Sequence, residues 1–142
     1  MTDAASSPSE VVTSYLASFD SRDPEAIAAH VSEDFANRHT ASLGSSCDGR
    51  DAYLERLPGF LASMPGLHFE VEQLVVDGPD VAAFYTMSGL WQGDAEFSVR
   101  GIQHLRVRDG LITHRTDYWD SAVFLAQVDD GAAATLAELG LA

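Results

Sequence analysis

The spacing of apolar residues changes part-way along this chain. Up to about residue 64 the apolar side chains recur every three or four positions, which is typical of helices that bury one face. Beyond that point they alternate with polar side chains, which is typical of strands. The pattern therefore predicts helices in the first half of the chain and a strand meander in the second half.

The first helix has a clear start signal. Ser7 is a good N-cap, Pro8 suits the first turn, and Glu10 lies where it can complete a capping box. The helix is predicted to stop near residues 21–22. Residues 1–6 precede the signal and are predicted to be disordered.

Two more helices are predicted before the period changes. Residues 23–25 (Asp-Pro-Glu) begin a short helix that carries Ile27 and Val31 on its apolar face. An irregular to extended stretch follows at residues 35–47. The third helix is predicted from Asp51 to Met64, with a kink at Pro58, because proline removes a backbone donor and clashes one turn back.

The second half predicts strands at residues 67–76, 81–91, 96–108 and 111–120. Asp109-Gly110, between the last two, favours a type I′ hairpin turn. Residues 121–128 are predicted as a short apolar helix or turn, and residues 132–139 as a further helix or a frayed tail. The whole is an α+β layer in one domain, residues 1–142, with a curved sheet wrapping around helices.

Charge narrows the range of partners. The chain carries 8 Lys+Arg, all of them Arg, against 22 Asp+Glu, a formal net charge of −14. This charge argues against nucleic acid and anionic membranes, because a polyanion would be repelled. No apolar run approaches the roughly 18 residues of a membrane span, and the start lacks secretory-signal features, so a cytoplasmic location is predicted.

Asp117 is the most informative position for chemistry. It lies on a strand face that otherwise reads as mostly apolar and inward, and a carboxylate there is costly to ionise without support. It is therefore a general acid/base or half of a buried ion pair. Arg115, two residues away on the same face, is the partner such a pair would use. A solvent-exposed Asp117 is the third interpretation.

The order of three helices and a meander, with VRGIQHLRVRDG followed by LITHRTDYWD, resembles the nuclear-transport-factor-2-like (NTF2-like) superfamily. Within the superfamily, the chain most resembles the SnoaL-like polyketide cyclase and ketosteroid isomerase-like branch. The segments SEDFANRH and MPGLHFEVEQLVVDG also resemble this branch. The resemblance covers residues 8–128 and leaves 129–142 as a C-terminal extension. It implies a cone-shaped α+β barrel, with three N-terminal helices packed in the concavity of a curved, mostly antiparallel sheet around an apolar pocket.

The resemblance also implies roles for individual residues. Asp117 matches the general base of limonene-epoxide-hydrolase-like members and the acid/base position of the cyclases, and His39 matches a pocket position that we predict to be catalytic. The predicted substrate contacts are Asn37, Tyr15, Tyr85, Met87, Trp91, Gln103, Arg115 and Trp119. Packing is the alternative role for Tyr15 and for both tryptophans, and His39 is alternatively a loop histidine with its hydrogen bonds satisfied. Epoxide hydrolysis is disfavoured, because those enzymes need Arg and Asp where this chain has Tyr85 and Met87.

The predicted function is that of a small-molecule enzyme of the cyclase or isomerase type, acting by acid–base catalysis on an apolar polyketide- or steroid-like carbonyl compound. Moving a proton next to a carbonyl needs a base of tuned pKa and donors for the enolate oxygen, and it needs no metal or other cofactor. The alternative is a non-catalytic ligand-binding or dimerising module. A homodimer is predicted in both cases, since the outer sheet face includes Ile102 and Tyr118.

Overall fold

The computed structural model describes residues 6–141, so the disorder predicted for the N-terminus lies, apart from Ser6, outside the described residues. The helices are α1 (Pro8–Ser18), α2 (Pro24–Ala28), α3 (Arg50–Ser63), α4 (Ser121–Val128) and α5 (Asp130–Glu138). The strands are β1 (Val31–His39), β2 (Cys47–Asp48), β3 (His68–Asp77), β4 (Asp80–Trp91), β5 (Ala95–Arg108) and β6 (Leu111–Tyr118). Within residues 6–141, no helix has the length and apolar character to cross a membrane.

All six strands belong to one curved sheet, in the order β2-β1-β6-β5-β4-β3. Strands β3 to β6 form the antiparallel meander that the sequence predicts, whereas β1 runs parallel to β6. Helix α1 packs against β3, β4, β5 and β6, and α3 packs against β1. The predicted α+β class, with helices held against a curved and mostly antiparallel sheet, is confirmed.

Local start and turn signals are confirmed in detail. The Ser7 side chain accepts a hydrogen bond from the Glu10 backbone, and the Glu10 carboxylate accepts one from the Ser7 backbone, which completes the capping box. Asp109 and Gly110 both have positive φ, at 51° and 77°, as a type I′ turn requires. These signals are local, so the residues that carry them are enough to predict them.

The segment between α2 and α3 differs from the prediction. Helix α2 ends at Ala28, and Val31 is fully buried at the start of β1 instead of lying on the helix. Residues 31–39 form one strand, so the stretch predicted as irregular to extended from residue 35 is extended as far as His39, and the strand begins four residues earlier than that stretch. The register between β1 and β6 shifts between Val31 and Ala36, which breaks the regular alternation that marks a strand in a sequence.

Helix α4 covers an unpaired edge of β5. Pairing between β5 and β6 begins at Ile102 and Tyr118, so in the described part of the chain residues 95–101 have no strand on that side. The Gln127 side-chain amide accepts from the Ser98 N–H at 2.8 Å and donates to the Ser98 carbonyl at 3.0 Å, as a neighbouring strand would. Helix α4 is thereby fixed beside the concave face of the sheet.

The outer face of the sheet exposes two large apolar side chains. Ile102 and Tyr118 are paired across β5 and β6 and are 38% and 50% exposed. They would be covered in a dimer that forms through this face. The homodimer stays a prediction.

Candidate active site

A cavity of about 960 Å³ lies between the helices and the concave face of the sheet. Aromatic and aliphatic side chains make up much of its wall, among them Phe19, Phe60, Phe69 and Phe124. Eight of the ten predicted site residues line it: Asn37, His39, Tyr85, Met87, Trp91, Arg115, Asp117 and Trp119. Tyr15 and Gln103, both fully buried, lie behind this wall.

Strand register brings the polar residues of the wall together. Side chains two apart on a strand share a face, so Arg115 and Asp117 of β6 both point inward. Asn37 and His39 lie opposite them on the parallel strand β1, and Gln103 lies opposite Asp117 on β5. A polar group is thus built from three adjacent strands in an otherwise mostly apolar concavity.

Arg115 is the centre of this group. Its Nη2 contacts Asp117 Oδ2 at 3.0 Å, its Nη1 donates to Asn37 Oδ1 at 2.8 Å, and its Nε donates to Gln103 Oε1 at 3.0 Å. The side chains of Arg115 and Asp117 are 7% and 6% exposed, so the solvent-exposed interpretation of Asp117 is wrong. The two residues form a buried ion pair, and Asp117 still borders the cavity.

The Asp117 carboxyl is buried, and it lies against the guanidinium of Arg115. Burial raises the pKa of Asp117 above its ordinary value, while the Arg115 charge and the Tyr85 hydroxyl oppose that rise. Arginine keeps its charge at any ordinary pH, and within residues 6–141 Asp117 is the only carboxylate within ion-pair distance of Arg115. A carboxylate whose pKa is raised is a stronger base than an exposed aspartate, which suits it to accept a proton.

Tyr85 holds the other oxygen of the same carboxylate. Its hydroxyl donates to Asp117 Oδ1 at 2.6 Å, and burial, with the nearby carboxylate, raises the pKa of Tyr85, so the hydroxyl stays protonated. Gly101, opposite Tyr85 on β5, leaves room for the tyrosine ring. A methyl group on Gly101 would clash with Tyr85 Oη and would stand 2.8 Å from the Tyr118 carbonyl oxygen.

The Gly101→Ala variant is therefore expected to lose about 1–3 kcal/mol in the free energy of unfolding, because the added methyl overpacks the contact with Tyr85. Urea unfolding followed by tryptophan fluorescence measures the loss. Gly59→Ala is the matched control, since nothing lies within 4 Å of a methyl group there and helix α3 should tolerate it. Equal stability of the two variants would contradict this account of Gly101.

His39 is a neutral donor in this wall. Burial, with the positive charges of Arg115 and Arg56, lowers the pKa of His39 to about 3. The Trp119 Nε1–H donates to His39 Nδ1 at 3.3 Å, from which we infer that the imidazole proton is on Nε2. With so low a pKa the ring is a poor base. The catalytic role that remains open to His39 is therefore that of a hydrogen-bond donor.

The low pKa of His39 predicts a loss of stability in acid. As pH falls from about 6.5 towards 3, the unfolded chain protonates His39 and the folded chain does not, so folding becomes less favourable. Because the ring is partly exposed, we expect this residue to contribute a loss of only about 1–2 kcal/mol between pH 7 and pH 4.5. Urea unfolding at the two pH values, compared with His39→Gln, measures it. An identical pH dependence in the variant would contradict the prediction.

A model of the SnoaL-like domain family matches residues 12–115 of the sequence. The chain belongs to the SnoaL-like domain family. A comparison with curated proteins finds no significant match to this SnoaL-like protein. The family predicted from the motifs of β5 and β6 is thus confirmed, and the activity has to be argued from the site.

Solved structures with the same fold include proteins of several kinds. A hypothetical protein with a ketosteroid isomerase-like fold from Catenulispora acidiphila, in complex with trimethylamine, has a TM-score of 0.79 and 24% identity over 87% of this chain and 95% of that chain. TerC co-crystallised with polyporic acid has a TM-score of 0.75 and 22% identity, over 87% of this chain and 100% of TerC. An LEH-like epoxide hydrolase from M. tuberculosis has a TM-score of 0.75 and 18% identity, over 92% of this chain and 96% of the hydrolase. These likenesses show the NTF2-like fold.

Two residues of the SnoaL-like protein have positions that the sequence did not predict. Tyr53, on the buried face of α3, borders the cavity, and its hydroxyl lies 2.5 Å from that of Tyr15. Gln103, predicted to contact substrate, lies fully buried behind Arg115, where its Nε2 has no hydrogen-bond partner in residues 6–141. In a sequence, a tyrosine on the apolar face of a helix is most simply explained as a packing residue. Only the position of the cavity distinguishes a tyrosine that packs in the core from one that borders the cavity.

Proposed function

We propose that this SnoaL-like protein binds a small, apolar carbonyl compound and moves a proton at the carbon next to the carbonyl, in the manner of a cyclase or isomerase. One observation carries the proposal. A buried carboxylate, that of Asp117, borders a mostly apolar cavity of about 960 Å³ and is oriented from two sides. A site of this kind combines a desolvated base with room for a drug-sized ligand.

Four polar residues have roles in this proposal. Asp117 takes the proton from the α-carbon, and the electron pair of the broken C–H bond moves to the carbonyl oxygen to form an enolate. The Nε2–H of His39 stabilises the enolate oxygen as a hydrogen-bond donor. Arg115 and Tyr85 orient the carboxylate. Return of the proton from Asp117 to another carbon gives an isomer. Attack of the enolate carbon on a second carbonyl of the same molecule gives a ring, and Asp117 returns its proton to the alkoxide formed from that carbonyl.

Solved structures of the same fold that hold small molecules support the proposal of a small-molecule ligand. TerC was co-crystallised with polyporic acid, and the Catenulispora protein is in complex with trimethylamine. In the present chain Trp91, Trp119 and Phe124 line the cavity, and the two tryptophan rings lie edge-on to Phe124, with ring centroids 5.3 and 6.1 Å from it. Such flat aromatic surfaces suit a ligand with rings.

A non-catalytic ligand-binding protein is the second candidate, and a specific observation favours it. Both oxygens of the Asp117 carboxylate already accept hydrogen bonds, one from Arg115 and one from Tyr85. A purely structural ion pair would have the same arrangement. In that case the cavity would bind its ligand without proton transfer.

Hydrogen–deuterium exchange separates the two candidates. The probe is 2-acetylnaphthalene, an apolar aryl ketone whose methyl protons are next to the carbonyl, and proton NMR in D₂O follows the loss of the methyl signal. The wild-type protein is expected to accelerate the exchange, with Asp117→Asn as the control. Binding without acceleration would contradict the enzyme and support the ligand-binding protein, and absence of binding would count against both.

A further inference from the structure

Arg56 is a cation at the mouth of the cavity. It comes from α3, its side chain is exposed, and it lines the cavity together with Leu43 and Ser45 of the loop between β1 and β2. Its Nη2 donates to the Ser45 carbonyl oxygen at 3.1 Å. This bond holds the guanidinium at the edge of the cavity and, within residues 6–141, leaves most of its N–H donors without a partner.

Most other arginines of the chain already have a partner. Arg22 donates to two backbone carbonyl oxygens at the end of α3. Five of the eight form ion pairs with carboxylates: Arg38, Arg50, Arg100, Arg106 and Arg115. In the described part of the chain Arg56 and Arg108 have no carboxylate within ion-pair distance, and of these two only Arg56 lines the cavity. Its charge is therefore available to an anion from outside the chain.

The charges near Arg56 favour an anion on the cavity side. Burial lowers the pKa of His39, and the charges of Arg115 and Arg56 lower it further, so two positive charges act on this part of the wall. Three carboxylates also border the cavity: Glu55, Asp94 and Asp129. None of them is within ion-pair distance of Arg56. The net charge of −14 acts over longer distances, which salt screens beyond about 8 Å.

We propose that Arg56 binds a carboxylate of the ligand at the mouth of the cavity. A guanidinium can donate two parallel hydrogen bonds to a carboxylate, which fixes the orientation of the group as well as its position. The apolar part of the ligand then lies deeper, against the aromatic rings of the wall. The ligand is thus a keto acid, with an apolar ring system between its two polar ends. The proposal rests on the proposed function for the carbonyl group, and it does not require proton transfer.

A pair of probes of nearly the same shape tests the proposal. The probes are 6-acetyl-2-naphthoate and its methyl ester, which has no charge, and NMR titration gives the Kd of each. The wild-type protein is expected to bind the carboxylate more tightly than the ester. In Arg56→Met the Kd of the carboxylate should rise by about 5- to 20-fold, between the values of an exposed and a buried ion pair, while that of the ester stays within about twofold.

Two further variants separate charge from position and from geometry. Arg108→Met is the matched control, because it changes the net charge by the same amount at an exposed arginine that does not line the cavity. It should leave the Kd of both probes unchanged. Arg56→Lys keeps the charge without the two parallel donors, so it should recover part of the affinity for the carboxylate.

The wild-type protein alone keeps the test valid if Arg56→Met fails to fold. Raising the salt concentration from about 0.05 to about 0.5 M should weaken binding of the carboxylate and leave that of the ester nearly unchanged, because salt screens an exposed ion pair. A wild-type protein that binds the carboxylate no more tightly than the ester, at either salt concentration, would overturn the proposal. So would an equal loss of both probes in Arg56→Met, which would mean that the bond to Ser45 only shapes the mouth.

Deuterium exchange into the acetyl group of both probes is measured separately. A carboxylate bound through Arg56 without exchange would remove only the proton transfer of the proposed function. Exchange into both probes with no preference for the carboxylate would remove only the role of Arg56. The two proposals therefore fail in different ways.

Discussion

The Arg115→Met variant is expected to lose about 3–5 kcal/mol in the free energy of unfolding at pH 7. The substitution leaves the Asp117 carboxylate buried without its cation, and it removes the donors to Asn37 Oδ1 and Gln103 Oε1. Methionine fills much of the volume of arginine, so the loss reports mainly on the polar group and less on a cavity. Urea unfolding followed by tryptophan fluorescence measures it.

Acid should reduce this loss. Without Arg115, the pKa of Asp117 rises further. The folded variant then binds a proton at a pH at which the unfolded chain does not. Lowering the pH therefore stabilises the folded variant relative to the wild-type protein. The double variant Arg115→Met/Asp117→Asn is the control, because it has no buried charge, and it should regain a large part of the stability. A loss below about 1 kcal/mol for Arg115→Met would mean that water reaches the pair.

The Asp117→Asn variant is expected to lose about 10²–10⁴-fold in the rate of deuterium exchange into 2-acetylnaphthalene. The amide has nearly the shape of the carboxylate, and its oxygen can still accept from Tyr85, but it has no basic site for a proton. Affinity for the ketone should change much less than the rate, since the cavity wall is otherwise kept. Single-turnover exchange rates and ligand titrations, both by NMR, separate the two quantities.

Two comparisons make the Asp117 result specific. Asp34→Asn removes an exposed carboxylate of β1 and should leave the exchange rate unchanged. If the unpaired Arg115 prevents Asp117→Asn from folding, the double variant with Arg115→Met answers the same question in a folded protein. An Asp117→Asn variant that keeps more than about a tenth of the wild-type rate would show that another group takes the proton.

The elements that the sequence predicts best are those with local signals. The capping box at Ser7 and the Asp109-Gly110 turn lie where the residue types require them. The strands of the meander begin and end within two residues of their predicted bounds, because inward and outward side chains alternate regularly along them. The family motifs fall on β1, β3, β5 and β6, and their resemblance to a known superfamily predicts how these strands are arranged.

The arrangement of the site depends on contacts that no local pattern reveals. Asn37 meets Arg115 only because β1 pairs in parallel with β6, 78 residues further along the chain. The same pairing places His39 beside Asp117. Whether Asp117 is a base or one half of an ion pair stayed open in the sequence, because Arg115 shares its strand face in either case. The structure shows the pair, and the activity stays a proposal.

The Gln127 contact with Ser98 has a consequence for solubility. An uncovered strand edge presents its N–H and C=O groups to other chains and invites association. Here the edge lies close to Phe97 and Trp91, so its exposure would also uncover apolar rings. A chain shortened before Ser121 would lose both Phe124 and the Gln127 amide, and it should aggregate through β5. Helix α4 therefore keeps the edge of β5 from pairing with other chains, and it also forms part of the cavity wall.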